Sequence, residues 1–175
     1  GEEKHEATIE SYLGVPIHYY TMVDFTAFKQ AVDALGGITV NVKEDLVDYN
    51  VAWENKNNPV IAKAGTQQMN GKTALLFARS RYGSARGDFD RADRQRQVIV
   101  AIKDKVLSVG TFANPVKISQ LLDTFGDRVV TNLSVSEMMR IYEIGKQIDS
   151  AKIGSISLAD PAKPLVVTDN VGGQS

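Results

Sequence analysis

Runs rich in β-branched and aromatic residues, separated by segments in which apolar side chains recur every three or four positions, predict an α/β domain, α+β if strictly classed. Its expected architecture is a central mixed β-sheet flanked by helices. Two further observations support this class. The 175 residues are enough for one hydrophobic core and too few for two. The composition, 43% hydrophobic and 23% charged, is that of a globular protein, and no apolar run approaches the roughly 18–20 residues that a membrane-crossing helix needs.

The first element is a short helix from Glu2 to Leu13, with Ala7, Ile9 and Leu13 apolar and Gly14 just beyond its end. Pro16 forces extension, and Ile17 to Val23 has strand composition. Asp24 is placed to N-cap a helix in which Phe25, Phe28, Val32 and Leu35 share one face, and Gly36-Gly37 ends it. Ile38 to Val42 then alternates apolar and polar residues as a second strand, completing a β-α-β unit. From Lys43 to Gly65 the pattern dissolves into a long loop around Trp53, with one edge strand expected at Val60-Ile61-Ala62. Asn70-Gly71 opens a helix through Phe77, and a longer helix is expected from about Asp90 to Leu107, with the Gly-interrupted loop Tyr82 to Gly87 between them. Helices follow at Pro115 to Phe125 and Ser134 to Ile148, the second opened by a Ser134/Glu137 capping box. Ile153 to Leu158 alternates as a last strand, and residues 161–175 read as a polar tail. The opening Gly1-Glu2-Glu3-Lys4-His5-Glu6 has no initiator Met and no signal peptide, as expected of a processed or truncated product.

Zero cysteines exclude disulfides, thiolate nucleophiles and Cys-ligated metals. A net charge of −1 speaks against a globally basic nucleic-acid binder, so a charge-based function must be local. The charge is in fact uneven. Six of the eight arginines (Arg79, Arg81, Arg86, Arg91, Arg94 and Arg96) fall between residues 79 and 97, with three aspartates, Asp88, Asp90 and Asp93. That window carries +3 and the remainder −4. No lysine contributes there, although the chain has twelve. Guanidinium binds phosphate or carboxylate oxygens through a planar fork, where ammonium acts as a point charge.

Arg91, Arg94 and Gln95 stand at i, i+3 and i+4 in the first turns of the long helix, where unpaired N–H groups and the helix dipole favour an anion. Arg79 and Arg81 project the same way only if the backbone between them is extended. With that extension, four cations and an amide converge into a site for a di-anion such as a pyrophosphate, and would stabilise charge on a leaving phosphate. The competing reading is a solvated helix face neutralised by Asp88, Asp90 and Asp93, with Asp90 as the helix N-cap. Arg86 and Arg96 fit a structural or solvent-facing role.

His5 and His18 stand alone, and no nucleophile-elbow, Walker, zinc-protease or EF-hand pattern occurs, so no catalytic residue is assigned. The apolar faces carrying Met69, Phe77, Met138 and Met139 fit either core or an acyl-chain pocket.

These segments, read together, resemble the LytR-CpsA-Psr family. The resemblance is carried by Val15-Pro16-Ile17-His18-Tyr19-Tyr20, Val23-Asp24-Phe25, Val32-Asp33-Ala34-Leu35-Gly36-Gly37-Ile38-Thr39-Val40, Ala64-Gly65-Thr66-Gln67 and Asn70-Gly71. Its signature is Ala78-Arg79-Ser80-Arg81, Asp88-Phe89-Asp90-Arg91 and Arg94-Gln95. It implies transfer of a phospho-glycopolymer, such as teichoic acid, from a polyprenyl pyrophosphate carrier to peptidoglycan. The expected location is the extracytoplasmic face of the bacterial membrane, reached through an N-terminal anchor outside this chain. It further implies that Arg79, Arg81, Arg91 and Gln95 hold the pyrophosphate, with Arg94 and Asp88 as secondary candidates.

In that family Mg²⁺ is held by acids in an early segment that this chain lacks. Residues 1–160 are thus expected to form the C-terminal two-thirds of the domain, without several strands, without metal ligands of their own and without turnover in isolation. The loop from Tyr82 to Gly87 is longer than in many members. A non-catalytic module for the pyrophosphate lipid is the second reading. A nucleic-acid regulator is the third, disfavoured by the charge balance and the lack of a helix-turn-helix pattern.

Overall fold

The computed structural model of the chain describes residues 2–82 and 88–153. The expected tail, nearly all of the last expected strand and Arg86 lie outside the described residues. The elements run α1 (Glu2–Leu13), β1 (Thr21–Val23), α2 (Phe25–Ala34), β2 (Ile38–Val42), β3 (Leu46–Val47), a 3₁₀ turn (Tyr49–Asn55), β4 (Val60–Ala62), β5 (Gly65–Met69), α3 (Gly71–Arg79), α4 (Asp88–Val109), α5 (Pro115–Phe125), β6 (Val129–Thr131) and α6 (Val135–Gln147).

This is the mixed helix-and-strand class that the pattern predicts. The described strands form three antiparallel pairs, β1 with β6, β2 with β5 and β3 with β4. The expected β-α-β order is present, but its two strands join different ladders, and α2 bridges them.

Local chemistry explains where the sequence reading and the structure part. The strand expected from residue 17 begins only at Thr21. Before that, Asn132 satisfies the backbone from the side: its Oδ1 accepts from Tyr20 N at 2.9 Å and its Nδ2 donates to the His18 carbonyl at 3.0 Å. Those groups therefore never enter a ladder. Three strands, β3, β5 and β6, are unexpected, and the longest is β5, whose Gly-Thr-Gln-Gln-Met sequence has little strand composition. It forms because β2 offers five residues in register, from Ile38 opposite Met69 to Val42 opposite Gly65, a case of pairing overriding propensity. The long helix begins at Asp88, so Asp90 sits in its first turn and is not its N-cap.

Several end signals act as read. Asp24 caps α2 by accepting from Ala27 N at 2.6 Å, and Ser134 and Glu137 close a reciprocal capping box on α6.

One end of the molecule is solid. Ile38, Val40 and Val42 turn inward from β2 while Thr39 and Asn41 face out. Val32, Met69, Leu76, Phe77 and Val98 complete the same core from α2, β5, α3 and α4. Close approach of α2 to α3 depends on Gly71: a Cβ there would stand 2.1 Å from the Lys29 carbonyl oxygen. The approach is fixed by Gly71 N donating to Asp33 Oδ1 at 2.7 Å. The obstruction is backbone, which cannot rotate away, so Gly71→Ala is expected to cost about 1–3 kcal/mol or more. Urea unfolding measures this, and an unchanged midpoint would show that the two helices separate freely.

Candidate functional site

The arginine cluster collects where α3 ends against the side of α4. A helix leaves its last carbonyls without intrahelical partners, and here α4 supplies the donors. Arg94 Nε donates to the Phe77 carbonyl at 3.0 Å, and Gln95 Nε2 donates to the Ala78 carbonyl at 3.4 Å. A second Arg94 nitrogen donates to the Ser80 carbonyl at 2.5 Å. A guanidinium at this terminus also complements the helix dipole. Arg94 is only 6% exposed, which differs from the sequence reading of an open anion ligand. The reason is its position: residues 94, 98 and 101 form the inward stripe of α4, with Val98 and Ala101 in the core. Burial pulls the Arg94 pKa down, opposed by Asp90 and Asp48, and the group stays charged.

Between the two cations of the Arg79-Ser80-Arg81 segment, Ser80 has φ −53° and ψ 133°. These polyproline-like angles carry the chain out of the helix in an extended course between Arg79 and Arg81. The Ser80 N–H donates to the Leu76 carbonyl at 3.0 Å. Its hydroxyl lies 2.6 Å from Asp48 Oδ2, the stronger of its two contacts, the other being the Tyr82 carbonyl at 3.1 Å. Asp48 and Ser80 are each 1% exposed. The other Asp48 oxygen accepts from Asn50 N at 2.9 Å and caps the 3₁₀ turn.

That turn presents Glu54 to Arg79, with a 3.3 Å ion pair. The Arg79 guanidinium also lies over the Phe25 ring, 4.6 Å from its centroid. Arg81 is exposed, and Arg91 is half-buried one turn before Gln95 on α4. Arg79 and Gln95 thus both reach the α3 terminus, Arg79 turned to Glu54 and Phe25 and Gln95 to the Ala78 carbonyl, with Arg91 on the same stripe of α4 as Gln95. The Asp88 side chain lies outside the described residues, as does most of the Tyr82–Gly87 loop. Arg96 turns to Asp93 at 3.7 Å.

The opposite end of the molecule is hollow. A cavity of about 540 Å³, open to solvent on one side, is lined by β1, α2, β6, α5, α6 and the C-terminal half of α4. Its walls are almost all apolar, among them Val23, Ala27, Leu35, Val106, Leu122 and Ile141. The ring beneath Arg79 opens α2, and Ala27 and Ala31 of the same helix line the cavity. The two readings of the apolar helix faces therefore divide: Met69 and Phe77 are packed core, whereas Met138 lines the cavity.

Sequence reasoning missed Asp48, Glu54 and Phe25 as parts of this site. Two of them lie in the segment that reads as featureless loop; the weak signal was a Ser between two Arg, which needs a buried acceptor only once folded. Burial pushes the Asp48 carboxyl up, but hydrogen bonds from Ser80, Asn50 and the Tyr82 N–H outweigh it and hold its pKa below the ordinary carboxylate range. A depressed folded pKa gives stability that is fully present above the unfolded value of about 4 and is lost as pH falls through the folded value. Asp48→Asn should therefore flatten the acid limb of stability. Urea midpoints between pH 7 and pH 2.5 test this, and an identical pH slope in the variant would show that the carboxylate is not held charged.

The sequence profile of the LytR_cpsA_psr family matches residues 1–171. A curated relative, the polyisoprenyl-teichoic acid–peptidoglycan teichoic acid transferase TagV of Bacillus subtilis (strain 168), is 34% identical over 158 residues, covering 90% of this chain and 39% of the relative. The chain thus spans about two-fifths of that protein's length. Among solved structures, Lin1025 of Listeria innocua superposes with a TM-score of 0.67 at 31% identity, over 83% of this chain and 57% of the other. TagT bound to LIIa-WTA superposes with a TM-score of 0.64 at 30% identity, over 80% of this chain and 49% of the other. Matched by the profile almost end to end and 34% identical to a relative over 90% of its own length, the chain belongs to the LytR-CpsA-Psr family.

Proposed function

We propose that this chain is part of an enzyme domain that transfers a phospho-glycopolymer from a polyprenyl pyrophosphate carrier to a peptidoglycan hydroxyl, outside the bacterial cytoplasmic membrane. The observation that carries this is a cationic helix junction and an apolar cavity linked by one helix: Phe25, under Arg79, opens α2, and Ala27 and Ala31 of α2 line the cavity. A headgroup at the arginines and a polyprenyl chain in the cavity would be adjacent. Leaving such a chain in water costs about 0.8 kcal/mol per CH₂, which a dry cavity recovers. The relatives' designation as teichoic acid transferases supports the glycopolymer class.

Within this reading Arg79, Arg81, Arg91 and Gln95 hold the pyrophosphate. Their donors offset charge on the leaving polyprenyl phosphate as the acceptor oxygen bonds to phosphorus. Arg94 carries no ligand and fixes the others. Membrane attachment is assigned to residues outside these 175; among the described residues no helix is long and apolar enough to cross a membrane. Mg²⁺ is proposed as a cofactor of the whole domain. Among the described residues no three acidic or histidine side chains converge, and its carboxylates are proposed to lie in the rest of the domain.

Isothermal titration of the 175-residue chain with inorganic, geranyl and farnesyl pyrophosphate tests the site. Affinity should rise about tenfold or more with each added isoprene unit, since each adds several buried carbons. Arg79→Ala and Arg91→Ala should each weaken binding about tenfold, the scale of a lost charge-assisted hydrogen bond. Equal affinity for all three probes would remove the lipid reading.

Glu54 occupies Arg79 with an ion pair at 3.3 Å that a phosphate must displace. Glu54→Gln should therefore tighten pyrophosphate binding up to about fivefold, as expected for a partly exposed pair worth about 0.2–1 kcal/mol. Weaker binding in the variant would mean that Glu54 supports the ligand instead of competing with it.

Turnover is expected of the longer protein and not of the isolated chain. Release of polyprenyl phosphate from a lipid-linked substrate, with and without EDTA, measures it. Efficient Mg²⁺-dependent release by the 175 residues alone would place metal ligands within them.

A further inference from the structure

We infer that Asp48 is the positioning residue of the anion site, acting through Ser80 on the backbone that aims Arg79 and Arg81 and through the 3₁₀ turn on the partner of Arg79. This rests on the proposed role of those arginines in holding a pyrophosphate, and it adds a residue that touches no ligand.

The geometry is a closed circuit. One Asp48 oxygen accepts from Ser80 Oγ at 2.6 Å, and Ser80 separates the two arginines. The other accepts from Asn50 N at 2.9 Å and starts the turn that ends beside Glu54, which returns to Arg79 at 3.3 Å. Ser80 is tied at every polar group, each time to a different partner: its N–H to α3, its carbonyl to Arg94 of α4, and its hydroxyl to Asp48. An extended residue tied at three points cannot rotate its neighbours independently, so the spacing of the two guanidinium groups is set from beneath.

The choice of residues also points to geometry over stability. Three polar side chains with exposures of 1%, 1% and 6% sit side by side behind an otherwise exposed segment. Burying a carboxylate and a guanidinium is costly, and well-packed apolar side chains often stabilise such a place equally well or better. What apolar side chains cannot supply is direction, because dispersion contacts leave the turn free to slide while hydrogen bonds fix it. The same reasoning explains why Arg94, though in the arginine cluster, points inward.

The test is a double-mutant cycle, with farnesyl pyrophosphate as the probe for headgroup and chain together and farnesol as the probe for the cavity alone. Asp48→Asn and Ser80→Ala are each expected to weaken farnesyl pyrophosphate binding about tenfold while changing farnesol binding less than twofold. In an Arg79→Ala/Arg81→Ala background the same substitutions should have almost no further effect, since contacts acting through the same groups are not additive. If Asp48→Asn does not fold, Ser80→Ala completes the cycle alone, because it removes one hydroxyl and no charge. Equal losses for both probes, or losses that multiply with Arg79→Ala/Arg81→Ala, would overturn the inference and make Asp48 a general stabiliser. An Arg79→Ala chain that binds farnesyl pyrophosphate as tightly as the parent would instead overturn the anion-site reading on which the inference rests.

Discussion

The junction between α3 and α4 rests on a single need: the last carbonyls of α3 have no partner within their own helix. Arg94 meets that need from inside the molecule, with one nitrogen on Phe77 and another on Ser80. Because a guanidinium is rigid and planar, the two bonds fix the distance and rotation of α4 relative to the end of α3. Everything exposed at the junction inherits that geometry. Gln95 is carried to the Ala78 carbonyl, Arg91 follows one turn earlier, and Arg79 and Arg81 leave the helix end on an extended residue. A lysine at position 94 could satisfy one carbonyl at a time and would leave the rotation undefined.

The molecule divides its apolar surface between two tasks. Around β2, β5 and the first half of α4 the side chains interdigitate into a core. Around β1, β6, α5 and α6 they face a cavity of about 540 Å³. The helices on the hollow side keep their shape without a filled interior because their ends are locally tied. Asn114 and Ser134 cap α5 and α6, and Asp24 caps α2 while its N–H donates to the Arg128 carbonyl at 3.1 Å.

Charge is graded with depth in the same way. The arginines proposed to meet a ligand are half-buried or exposed, where an incoming anion can replace water or a side-chain carboxylate at modest cost. The buried charges, Asp48 and Arg94, are saturated by hydrogen bonds from the protein and are not available for exchange. A site built in this order can release and rebind a charged ligand without loosening the fold beneath it.

The amino-acid sequence by itself determined the helices and their ends, because caps and glycines act within a few residues: Asp24, Asn70 and Ser134 begin helices and Gly126 follows one. It also determined the strand with clean alternation, the concentration of arginine at residues 79–97 and the family, which rests on short motifs in a fixed order. Tertiary structure alone decided which of those arginines faces inward. Arg91, Arg94 and Gln95 share a helix face by spacing, yet a helix face is wide enough for its edge to be open while its centre is buried. Tertiary structure also made a strand of Gly65–Met69, whose composition carries little signal until β2 pairs with it. It brought Asp48 under Ser80 across 32 residues of chain. No local rule reaches that far, because the preference of a carboxylate for a buried hydroxyl exists only after the chain has closed around both.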